Sequence, residues 1–143
     1  MAKDKVLLVD DNVEFTTALA ERMEVRGFSV DTAESGATAL DKIKDAAYDA
    51  VILDLAMPGM DGIETMKRLL EKQPDLQIIL LTGYASVEKG IEAMKLGAVD
   101  FLEKPADLKK LVSKVKEART QKMLLVQKQL EDKITKILRE KGW

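Results

Sequence analysis

The sequence predicts an α/β domain: a doubly wound, five-stranded parallel sheet with helices on both faces and a helical extension at its C-terminal end. Three observations carry this reading. Strand-like and helix-like runs alternate strictly, five of each. The clearest strand runs, Val6-Leu7-Leu8-Val9 and Ile78-Ile79-Leu80-Leu81, are continuously apolar, as strands buried on both faces are. After residue 107 there is no Pro, and no Gly until Gly142, so nothing stops the last helix where a compact domain should end.

Each element follows from local signals. Val6 to Val9 is a short strand ended by Asp10-Asp11. Asn12 is a good N-cap for a helix over about 13–26, with Phe15, Leu19 and Met23 on its inner stripe and Gly27 closing it. Phe28 to Asp31 reads as the second strand. Ser35 caps a helix to about Ala47, with Ala39, Leu40 and Ile43 inward. Val51 to Leu53 is the third strand, ending at Asp54. Pro58-Gly59 and Asp61-Gly62 make Leu55 to Gly62 a loop. The helix after it carries Ile63, Met66, Leu69 and Leu70, runs to about Lys72 and is stopped by Pro74. Gln77 to Leu81 is the fourth strand, ending at Thr82-Gly83. Ser86 caps a short helix with Val87, Ile91 and Met94 inward, and Gly97 ends it. Val99 to Leu102 is the fifth strand. Glu103-Lys104-Pro105 follows, with Pro105 expected in the first turn of the last helix.

Composition removes whole classes of chemistry. The 143 residues include no Cys and no His, which excludes disulfides, thiolate nucleophiles, imidazole bases and Cys or His metal sites. Aromatics are 4%, too few for the stacking platforms of single-strand binders, so direct nucleic-acid binding is not expected. No apolar run approaches the roughly 18 residues of a membrane span, and the N-terminus leads into no signal-peptide core. A cytoplasmic protein without membrane contact is expected. Residues 1–106 carry 12 Lys+Arg against 20 Asp+Glu; residues 107–143 carry 11 against 5. An acidic body therefore bears a basic tail.

Sites in a parallel α/β sheet form at the carboxyl ends of the strands. Here those ends deliver Asp10 and Asp11, then Asp54, then Thr82, then Lys104. Three carboxylates in one place repel, so either one holds a proton or a cation joins them. Oxygen ligands without His or Cys favour Mg²⁺, with Mn²⁺ able to replace it. A carboxylate beside such an ion can attack phosphorus, a hydroxyl can donate to one phosphoryl oxygen, and an ammonium can pair with another.

The segments Leu7-Leu8-Val9-Asp10-Asp11, Leu53 to Gly62, Leu81-Thr82-Gly83-Tyr84 and Phe101-Leu102-Glu103-Lys104-Pro105 resemble the receiver domain of bacterial two-component response regulators, over about residues 4–118. The stretch from Thr82 to Leu102 most resembles receivers of nitrogen-regulator type. The resemblance implies strand order 2-1-3-4-5, as in flavodoxin-like folds. It implies that Asp54 is the phospho-acceptor. Asp11 and Asp10 would hold Mg²⁺ with Asp54 and the backbone carbonyl of Ala56. Thr82 would be the switch hydroxyl, and Lys104 would pair with the acceptor and then with the phosphoryl group. Phe101 stands where many receivers have Tyr, giving an aromatic switch without a hydroxyl. The resemblance also implies that Ala56 and Tyr84 occupy positions that set the dephosphorylation rate, where neither supplies an amide or carboxylate to orient a water. The donor would be a sensor histidine kinase or a phosphotransfer protein. Such a domain is not an enzyme in the ordinary sense; it takes up and loses one phosphoryl group. A degenerate receiver, binding partners without phosphorylation, is the alternative, but it would lack one of the five residues.

Residues 1–118 are thus expected to be the receiver and 119–143 a helical extension or linker. Met123, Leu130, Ile134 and Ile137 are spaced 7, 4 and 3 apart, the a/d spacing of a coiled coil interrupted by Gln127. A homodimer through 120–140 would cover that stripe.

Overall fold

The computed structural model describes residues 3–55, 61–83, 87–105 and 107–141. The elements are β1 (Lys5–Val9), α1 (Val13–Val25), β2 (Ser29–Ala33), α2 (Gly36–Asp45), β3 (Ala50–Leu53), α3 (Gly62–Lys72), β4 (Ile78–Thr82), α4 (Val87–Leu96), β5 (Asp100–Glu103) and α5 (Leu108–Glu140). All strands are parallel, in the order β2-β1-β3-β4-β5.

Alternation along each strand divides the core between the two faces. Leu7, Val9, Val51, Leu53, Ile78 and Leu80 pack with Ala39, Leu40 and Ile43 of α2 and Met66 and Leu69 of α3. Val6, Leu8, Ala50, Ile52, Ile79 and Leu81 pack with Leu19, Ala20 and Met23 of α1 and Leu111, Val115 and Ala118 of α5. Val6 to Val9 of β1 and every residue of β3 and β4 are buried because neither face meets water.

The caps form as the residue types require. The side chains of Asn12, Ser35 and Asp61 accept from the backbone N–H groups of Phe15, Thr38 and Glu64. Gly27, past α1, has φ of +97°, a conformation that disfavours any side chain.

Three local expectations are corrected. The second strand runs Ser29–Ala33, because its register on β1 continues to Val9↔Ala33; Phe28 packs in the core just before it. On α4, Ile91 and Met94 face solvent rather than the core. The packed face is Gly90 and Ala93: a Cβ on Gly90 would lie 2.4 Å from Cε2 of Phe101, so the bare glycine lets the helix settle onto that ring. Pro105 precedes the last helix instead of occupying its first turn. The Lys104–Pro105 peptide is cis, and α5 starts at Leu108, capped by Asp107 through the N–H groups of Lys109 and Lys110. Ala56, Met57, Pro58, Gly59, Tyr84 and Ser86 lie outside the described residues.

The long α5 is one helix of 33 residues. In its first third, Leu111, Val115 and Ala118 are buried against the sheet. At its middle, the Arg119 guanidinium meets Asp4 at 3.0 Å and Lys122 donates to the Tyr48 carbonyl at 2.7 Å. Beyond that, Met123, Leu130, Ile134 and Ile137 are exposed. Among the described residues, no helix is long and apolar enough to cross a membrane.

Candidate functional site

The parallel register builds the site. Val9 pairs with Leu53, so the residues that follow, Asp10 and Asp54, leave adjacent strands side by side. Backbone bonds fix both: the Asp10 N–H donates to Ala33 and the Asp54 N–H to Val9. Thr82 closes β4, and its carbonyl accepts from the Lys104 N–H at 2.8 Å, seating the lysine beside it. Four strand ends thereby converge on one pocket.

Carboxylate oxygens of Asp10, Asp11 and Asp54 all lie within 4.8 Å of one another. Asp10 and Asp54 are buried, whereas Asp11 is exposed at the mouth. The Thr82 hydroxyl, fully buried, donates to Oδ1 of Asp54 at 2.8 Å. The Lys104 ammonium lies 2.5 Å from Oδ2 of Asp10 and 3.5 Å from Oδ2 of Asp54. It therefore sits between the two carboxylates, nearer Asp10 than the acceptor position foreseen for it. Among the described residues, one ammonium against three carboxylates leaves an excess of negative charge among hard oxygen donors. That donor set fits Mg²⁺ or Mn²⁺.

The structure thus brings together Asp10, Asp11, Asp54, Thr82 and Lys104. The Ala56 carbonyl lies outside the described residues. Phe101 is set apart: half-buried, it packs on the α2–α3 side of the sheet and under Gly90 of α4.

Sequence reasoning missed two participants. Phe15 entered only as a core residue of α1, yet its ring lies 4.4 Å from the Lys104 ammonium. Gly62 entered only as a loop residue. A Cβ there would stand 2.3 Å from Cα of Leu55 and 2.6 Å from the Asp54 carbonyl oxygen, so only glycine lets α3 start this close to the Asp54–Leu55 backbone. Its N–H donates to the Leu55 carbonyl. The Asp-Gly pair marked the turn; nothing in it marked the close approach.

Comparison with known proteins follows the geometry. Residues 6–116 match the family described as response regulator receiver domain. The transcriptional regulatory protein ZraR of Klebsiella oxytoca is 38% identical over 113 residues, covering 79% of this chain and 26% of that protein. A response regulator receiver domain protein from Clostridium thermocellum superposes with a TM-score of 0.81 at 30% identity, covering 85% of this chain and 98% of that one. NtrX from Brucella abortus gives 0.81 at 27% identity, covering 92% of this chain and 29% of its own. The chain spans about a quarter of the length of the ZraR relatives it matches.

Proposed function

The chain belongs to the response regulator receiver family, and from that premise we propose that Asp54 accepts a phosphoryl group from a phosphohistidine of a sensor histidine kinase or phosphotransfer protein in the cytoplasm. One observation carries the choice of residue. Among the described residues, Asp54 is the strand-end carboxylate that touches both the Thr82 hydroxyl and the Lys104 ammonium.

An Asp54 carboxylate oxygen forms the new O–P bond as the P–N bond to the donor imidazole breaks, and the imidazole takes up a proton. Asp10, Asp11, Asp54 and the Ala56 carbonyl would hold Mg²⁺, which when bound neutralises charge on the transferring group. The Thr82 hydroxyl turns from Asp54 to a phosphoryl oxygen, and Lys104 pairs with another. Phe101 follows Thr82, and its contact under Gly90 passes the change to α4. The domain carries the group rather than turning over a substrate. The presence of all five residues disfavours a degenerate receiver.

Residues 1–118 form the receiver in this reading, and 119–143 the extension. The exposed stripe of Met123, Leu130, Ile134 and Ile137 meets the same stripe of a second copy. Sedimentation equilibrium at tens of micromolar should give a dimer for the whole chain and a monomer for a chain ending at Arg119; a monomeric whole chain overturns this part.

The central test is intact mass after incubation with Mg²⁺ and a small acyl phosphate. One added phosphoryl group is expected, absent without metal and absent in Asp54→Asn. A full-strength adduct on Asp54→Asn overturns the assignment.

A further inference from the structure

We infer that Phe15 is a positioning residue for Lys104: its ring holds the ammonium in the pocket, within reach of both Asp10 and Asp54. The inference rests on the reading of Asp54 as acceptor and adds a residue to that site.

Four contacts close into a ring. Oδ2 of Asp10 holds the Lys104 ammonium at 2.5 Å. Oδ1 of the same carboxylate accepts from the Asn12 N–H at 2.9 Å. The Asn12 side chain accepts from the Phe15 N–H at 3.1 Å. The Phe15 ring then returns to the ammonium, 4.4 Å from its centroid. The cap that starts α1 is therefore also the bracket that aims the ring. The first turn is pinned further by Thr16, whose hydroxyl donates to the carbonyls of Asn12 and Val13. An aromatic face attracts an ammonium without fixing its direction. Lys104 can thus move between the two carboxylates without leaving the ring. An aliphatic side chain of the same bulk would fill the space and lose that attraction.

The arrangement has a consequence of opposite signs. Lys104 sits on Asp10 and would compete with a divalent cation for that carboxylate. Loosening Lys104 should help the metal and harm phosphoryl capture.

The experiment compares wild type, Phe15→Leu and Phe15→Tyr. In metal-free protein, the Lys104 ε-methylene protons should carry an upfield ring-current shift that Phe15→Leu abolishes and Phe15→Tyr retains. Mg²⁺ titration followed by NMR should give roughly threefold tighter binding in Phe15→Leu. Phosphorylation by a small acyl phosphate at saturating Mg²⁺ should be about threefold to tenfold slower in Phe15→Leu and near wild type in Phe15→Tyr. Unchanged Mg²⁺ affinity and rate in Phe15→Leu overturn the inference. So does a parallel loss of Mg²⁺ affinity, rate and melting temperature, which is the signature of packing alone. If wild type itself takes up no phosphoryl group, the acceptor reading falls, while the ring-current shift and the Mg²⁺ titration still judge Phe15.

Discussion

The two ends of the sheet carry similar charges under opposite terms. Asp4 and Asp49, at the amino ends of β1 and β3, and Asp31, at the middle of β2, each have settled partners. Asp4 meets Arg119, Asp49 accepts from the Lys5 N–H, and Asp31 accepts from the Tyr48 hydroxyl at 2.7 Å with the Lys5 ammonium at 3.7 Å. At the carboxyl ends, Asp10 and Asp54 share the Lys104 ammonium, with Asp11 close beside them. Among the described residues, Asp11 has no ion-pair partner. One set of carboxylates is spread along the sheet and paired within the fold; the other is gathered into one acidic cluster. The difference lies in crowding, since the residue type is the same: oxygens of Asp10, Asp11 and Asp54 lie within 4.8 Å of one another.

The largest effect that would sharpen this contrast is on transfer. Asp11→Asn should slow phosphorylation by small donors at least about a hundredfold. In metal-free buffer the same change should leave the fold intact and raise stability by roughly 1 kcal/mol, because it removes one of three crowded charges. A lower melting temperature would break the comparison.

The settled end should answer in the opposite sense. Tyr48→Phe should cost about 1–3 kcal/mol in denaturant unfolding, since it strips a hydrogen bond from Asp31. A smaller effect separates the two by pH. Burial, and then the hydrogen bond to Asp31, push the Tyr48 phenol well above its ordinary range. The folded state holds its proton after the unfolded chain has lost it, so this contribution is complete below about pH 10 and declines above that. Wild-type stability should therefore fall more steeply than that of Tyr48→Phe above pH 10. Parallel curves would remove Tyr48 from the settled network.

The strands were legible because Val6 to Val9 and Ile78 to Leu81 are apolar without interruption, which only a doubly covered sheet permits. The residues of the pocket were legible because polar groups stand immediately after those runs. Less legible was anything that depends on small side chains. Gly90 and Ala93 form the packed face of α4 but carry little hydrophobic signal, so the larger Ile91 and Met94 drew the inward assignment. Gly62 is needed for the proximity of a distant backbone, which no local pattern encodes. The seat of Lys104 on Asp10 spans 94 positions, and Phe15 joins it only through the cap at Asn12.

The single helix α5 also works as a mechanical arm. Among the described residues, Lys122 is the last of its residues hydrogen-bonded to the domain. The 18 residues from there to Glu140 extend about 27 Å. A tilt of about 5° at the anchor displaces the free end sideways by roughly 2 Å, and about 10° by nearly 5 Å. A repacking too small to disturb the core at Leu111 or Val115 is thus enlarged at the far end into a sideways displacement of several ångströms. The gain is set by length alone, so each turn inserted after Lys122 would raise it.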